Sequence, residues 1–155
     1  MIRDLRGLLP TRLGAAPYTK RNAPVDTAII HWADATGRNY SPWEIAEYQV
    51  GPDAHLDFPA IAYHYQVEQR GTVNLLHGVE TRTWHAGEWN DRSIGVLVCP
   101  GVDGLFTQEQ AGAVRGLLAM LRQFIPHLQV KGHCEVRPTA CPGPRWKENK
   151  AMLAE

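Results

Sequence analysis

Several things are scarce in this 155-residue chain, and each scarcity removes a class of answer. No stretch approaches the ~18 consecutive apolar residues of a membrane-spanning helix. The segment from Met1 to Pro10 carries charges but lacks the apolar core of roughly 7–15 residues that a secretory leader needs, so no export signal is expected. Net charge is absent: 16 Lys and Arg offset 16 Asp and Glu, which argues against a nucleic-acid partner. Cysteine is limited to three, an odd number that suits a reducing compartment where thiols stay buried or serve as ligands. Low-complexity tracts and internal repeats are missing too. With 44% hydrophobic residues, the chain is long and apolar enough to bury a core as one domain.

Charge and turn residues divide the chain unevenly. Residues 1–24 hold Arg3, Arg6, Arg12, Lys20 and Arg21 against Asp4 alone, and are punctuated by Pro10, Gly14, Pro17 and Pro24. They read as an irregular basic arm packed on a single domain of residues 25–155. The arm is a solvated face on the plainer reading, and a contact for an anionic wall polymer on the sharper one.

Beyond the arm, apolar runs alternate with helical patterns. Val25 to Trp32 reads as a buried strand ending at His31. Ser41-Pro42-Trp43-Glu44 opens a helix, with serine as cap, proline in the first turn and glutamate reaching back; Gly51-Pro52 closes it. Ile61–Glu68 and Val73–His77 form a hairpin across Gln69-Arg70-Gly71-Thr72. Ser93–Cys99 is a further strand. Thr107 and Gln110 form a capping box for a helix whose apolar residues Val114, Leu117, Leu118, Leu121 and Ile125 share one face, with Pro126 beyond. Leu128–Lys131 is a short strand and Arg145–Leu153 a terminal helix. The fold class is α/β, a central mixed β-sheet flanked by helices.

Chemistry concentrates in the histidines. His55 and His127 lie in turn-rich surroundings and read as loop residues, and His77 as a surface or groove residue. His31 ends an apolar strand, where a scaffold presents a ligand to a cleft. His133 follows Gly132 and precedes Cys141 by eight residues, with Pro142-Gly143 pinning the chain after the thiol. Two imidazoles and a thiolate would leave one position of a tetrahedral zinc free, the mark of a catalytic rather than a structural site.

Six ordered motifs resemble the zinc N-acetylmuramoyl-L-alanine amidases, the type-2 group that includes phage lysozyme-like amidases and peptidoglycan recognition proteins. They are Ile29-Ile30-His31, Ile61-Ala62-Tyr63-His64-Tyr65, Arg70-Gly71-Thr72-Val73, Trp84-His85-Ala86-Gly87, Asn90 through Val96, and Gly132-His133 with Cys141-Pro142-Gly143. The resemblance spans Val25 to Trp146. It implies one Zn2+ held by His31, His133 and Cys141, with Tyr63 beside the reacting water and Thr139 near the oxyanion. It implies a substrate groove at Trp84, His85 and Asn90, with His64 facing away from Tyr63 in a supporting role.

Two departures stand out. Many phage members carry lysine where Thr139 stands, and a hydroxyl brings no charge. Recycling amidases of the superfamily have an acidic third ligand and a glutamate in the Ser-Ile-Gly strand, where this chain has Cys141 and Leu97. The resemblance therefore implies hydrolysis of the amide between N-acetylmuramic acid and L-alanine in bacterial peptidoglycan. It points to a monomeric phage endolysin held in the host cytoplasm until released to the wall. The alternative is a recognition module that binds peptidoglycan without cutting it, usually after losing the cysteine.

Overall fold

Alternation along two central strands decides which face of the sheet carries chemistry. The computed structural model describes residues 1–34, 36–52 and 56–154. The strands are β1 (Ile2–Asp4), β2 (Thr27–Trp32), β3 (Tyr65–Val67), β4 (Val73–Leu75), β5 (Ser93–Val98) and β6 (Gln129–Gly132). The helices are α1 (Pro42–Val50), α2 (Gln108–Arg122) and α3 (Trp146–Met152). The six strands form one sheet in the order β1-β4-β3-β5-β2-β6, parallel except for the β3–β4 hairpin.

Ala28 and Ile30 of β2, with Ile94, Val96 and Val98 of β5, point into a core shared with Val114, Leu117, Leu118 and Leu121 of α2. Period two then sends Ile29 and His31, and Ser93, Gly95 and Leu97, to the opposite face. Parallel register sets Ile29 beside Gly95 and His31 beside Leu97. A second apolar cluster of Leu5, Ala46, Ile61 and Leu76 joins the amino-terminal segment and α1 to the hairpin.

Both capping boxes read from the sequence form. The Ser41 hydroxyl accepts the Glu44 N–H and Thr107 accepts that of Gln110, while Glu44 and Gln110 reach back to the cap amides. Regular α2 ends at Arg122, and turn hydrogen bonds carry on to the Ile125 N–H, which donates to the Leu121 carbonyl at 2.9 Å, until Pro126, which has no N–H to continue them.

Two local expectations change, and the segment after β6 adds a detail the sequence left open. The amino-terminal residues are not wholly irregular, since β1 lies parallel to β4 at the sheet edge. Residues 61–64 precede β3 rather than belong to it, so strand alternation does not separate Tyr63 from His64. The chain turns into a short 3-10 helix at His133–Glu135, because Glu135 folds back to accept the Gly132 N–H at 2.7 Å.

The arm is fastened through backbone groups. Arg21 donates to the carbonyls of Val79, Asn90, Asp91, Thr81 and Ser93. Arg3, Arg6 and Arg12 pair with Glu68, Asp4 and Asp57. These cations are engaged within the chain, against the picture of a free basic face. No helix among the described residues is long and apolar enough to cross a membrane. His55 lies outside the described residues.

Candidate metal centre and active site

His31 sits at the carboxyl end of β2, on the face turned away from α2, and is 2% exposed. The loop after β6 brings in the other two donors. His133 follows Gly132, which has to be glycine: a Cβ there would lie 2.6 Å from the Trp146 indole. At Cys141-Pro142-Gly143 the chain passes over Trp32, where a Cβ on Gly143 would lie 2.5 Å from the ring. Close approach of backbone to an aromatic face is thus what aims the thiol at His31.

One candidate ligand atom from each of His31, His133 and Cys141 lies within 4.8 Å of the others. The Cys141 Sγ is 3.6 Å from His31 Nδ1, and the His31 and His133 ring centroids are 4.5 Å apart. His133 Nε2 is buried without a hydrogen-bond partner. Unpaired buried nitrogens are costly, and a cation in this cluster is the partner that the donor set suits. Two neighbouring residues that could in principle add a fourth ligand, Cys134 and Glu135, are not part of this group. Cys134 is exposed, and the Glu135 carboxylate bonds Gly132 N–H, Trp146 Nε1 and Lys150 Nζ.

Burial sets the protonation of the three candidate donors, in favour of a cation at the imidazoles and against it at the thiol. Burial drives the His31 pKa well below its ordinary value, helped by His133, and burial also lowers His133, helped by the Arg137 guanidinium. Both imidazoles are therefore neutral at neutral pH, the form that ligates. Burial pushes the Cys141 thiol up to about 11, opposed by a backbone hydrogen bond from Trp32. In the metal-free cluster the sulfur keeps its proton. A cation has to displace that proton to gain a thiolate.

Tyr63 stands next to the cluster, its ring centroid 5.1 Å from that of His31. Gln49 of α1 holds this segment by accepting the Ala62 N–H at 2.8 Å. Burial pushes the Tyr63 phenol far up, with Cys141 adding to the effect, so the group is a hydrogen-bond donor and a poor base. Thr139 is exposed beside the cysteine. Its Oγ accepts the Cys141 N–H at 3.2 Å, leaving its own O–H free to donate.

Trp84, His85 and Asn90, expected in the groove, and His64, expected in a supporting role, have different fates. Trp84 is 43% exposed and stands edge-on to Tyr18 at 5.5 Å and to Phe58 at 6.1 Å, an aromatic patch open to solvent. Asn90 is not at the surface. It is buried, and its Oδ1 accepts the Ala86 N–H at 2.7 Å to close a 3-10 turn. His85 is also buried, behind His31, with Nδ1 3.0 Å from His31 Nε2. His64 is fully buried; its Nδ1 accepts the Gly95 N–H at 3.0 Å, and Nε2 faces the Thr81 carbonyl at 2.9 Å. Sequence reasoning missed Gln49, Ser93 and Arg137. Only Ser93 fell within a motif, and nothing in its spacing separates a hydrogen-bonding serine from a strand residue.

A mixed sheet that carries a His-His-Cys cluster at the ends of its parallel strands has the donor set of a metal-assisted hydrolase. The sequence profile of the N-acetylmuramoyl-L-alanine amidases matches residues 21–144. The chain belongs to this N-acetylmuramoyl-L-alanine amidase family. It is 30% identical to the endolysin of Escherichia phage T7 over 144 residues, 86% of this chain and 93% of that one. It is 32% identical to a peptidoglycan-recognition protein of Drosophila melanogaster over 128 residues, 77% of this chain and 69% of that one. In fold it is similar to the amidase LysC of Clostridium intestinale, with a TM-score of 0.76 at 22% identity over 99% of this chain and 97% of that one. Its activity is that of a peptidoglycan amidase, directed at the bond between N-acetylmuramic acid and L-alanine.

Proposed function

We propose that this amidase is zinc-dependent and serves as a phage endolysin, made in the host cytoplasm and acting on the wall after release. His31, His133 and Cys141 hold the ion. The observation that carries this reading is their convergence within 4.8 Å together with an unpartnered, buried His133 Nε2. When bound, zinc supplies a Lewis acid that polarises the scissile carbonyl and acidifies water. The likeness to an endolysin over almost the whole chain supports the biological role.

The protein's own groups do the rest. Tyr63 keeps its proton and donates it as a hydrogen bond to oxygen charge that develops on the substrate. Thr139 offers a second donor, and the Arg137 guanidinium adds positive potential that threonine lacks. Trp84, flanked by Tyr18 and Phe58, offers an apolar face to a sugar or a stem peptide.

Purified cell walls digested with and without a chelator test the reading. Mass spectrometry is expected to show new amino-terminal L-alanine, lost on chelation and restored by zinc. Cys141→Ser is expected to lose both metal and lysis. Wall binding without any released L-alanine would instead make the chain a recognition module.

A further inference from the structure

Behind the metal cluster runs a chain of hydrogen bonds whose proton positions are forced. The Ser93 hydroxyl donates to the Trp89 carbonyl at 2.6 Å. A carbonyl only accepts, so the serine proton is committed there. Ser93 Oγ then turns a lone pair toward His85 Nε2, 3.2 Å away, and that nitrogen must carry hydrogen. Neutral imidazole has a single N–H, so His85 Nδ1 is an acceptor. Facing it at 3.0 Å is His31 Nε2, which is therefore the protonated nitrogen of His31. That leaves the His31 Nδ1 lone pair facing Cys141 Sγ at 3.6 Å. Reversing the protons would set a lone pair of the serine oxygen against the Trp89 carbonyl.

We infer that His85 is a positioning residue: it holds His31 in the Nε2–H tautomer and so aims the Nδ1 lone pair at the metal position. The inference rests on the zinc reading of the preceding subsection. The surroundings are built for this ring. Gly95 lies beneath it, and a Cβ there would come within 2.7 Å of His85 Cγ and 2.9 Å of Nδ1. Asn90 pins the following turn through the Ala86 N–H, which fixes where His85 leaves the backbone. His85 and His31 are 7% and 2% exposed, so water does not compete for the bond between them. Ligating histidines are generally oriented by an acceptor on the second nitrogen, and loss of that acceptor weakens metal binding about 10- to 100-fold.

The test uses the full chain and reads protons as well as metal. Long-range proton–nitrogen correlation spectra of the metal-free, 15N-labelled protein are expected to show both His31 and His85 protonated at Nε2. Zinc affinity, measured by chelator competition, is expected to fall about 10- to 100-fold in His85→Phe, which keeps a ring but removes the acceptor. His85→Asn places an amide oxygen near the lost Nδ1 and is expected to recover most of that affinity. A wild-type His31 protonated at Nδ1 overturns the inference, as does a Phe variant with unchanged affinity or an Asn variant no tighter than Phe. If the Phe variant does not fold, the wild-type tautomer decides. A wild-type chain with the Nε2–H pattern that takes up no zinc overturns the zinc reading and leaves the hydrogen-bond chain standing.

Discussion

Three imidazoles buried in neutral form should make the metal-free protein sensitive to mild acid. His31, His64 and His85 are 2%, 0% and 7% exposed, and burial is the leading cause that lowers the pKa of each. In the unfolded chain each titrates near the ordinary value of 6.5, so below that pH the unfolded state binds more protons. Their contribution to stability is therefore complete above about 6.5 and declines as pH falls. Each imidazole removes up to about 1.4 kcal/mol per pH unit, or about 1.2 kcal/mol between pH 7 and 5.5. Three together remove about 4 kcal/mol, a large part of the ~5–15 kcal/mol that holds a domain folded. His77 and His133 are lowered as well and add in the same direction. The carboxylates held low by their partners, Asp26, Glu44 and Glu135, titrate below this window. Urea unfolding in the presence of chelator, at pH 7, 6.2 and 5.5, measures the loss. An unchanged midpoint across that range would refute the assignment of these rings as buried and neutral.

Two substitutions probe other parts of the design. Tyr63→Phe should retain zinc yet slow turnover by about 10²-fold or more, because it removes a donor and little volume; equal kcat on defined muropeptides would remove the phenol from the reaction. Arg21→Met should destabilise the protein by about 3 kcal/mol or more, since five carbonyls lose their donor. A melting temperature within a degree of the parent would show that those carbonyls find other partners.

Much of the site was legible because it rests on local rules. A six-residue apolar strand presents alternate residues to one face, so His31 could be placed opposite Ile30 without any structure. Capping boxes at Ser41 and Thr107 depend on residues three apart, and both formed. Pro142-Gly143 announced a constrained turn after Cys141. Residues 61–64 lie outside strand geometry, so it is packing rather than alternation that sets the Tyr63 ring 5.1 Å from His31 and the His64 ring 5.8 Å from His85.

The amino-acid order alone determined the mixed architecture and the capped helices, which follow from periodicity and turn chemistry, and its ordered motifs named His31, His133 and Cys141 as the candidate donors. Tertiary structure alone decided which histidines line the candidate metal position and which stand behind it. His85 and Asn90 carry groove-like polar side chains, yet the bare backbone of Gly95 and a folded 3-10 turn draw both inside. Burial, not residue type, is what turned a candidate substrate contact into a partner for His31. Burial depends on how distant segments stack, which no spacing in the sequence records.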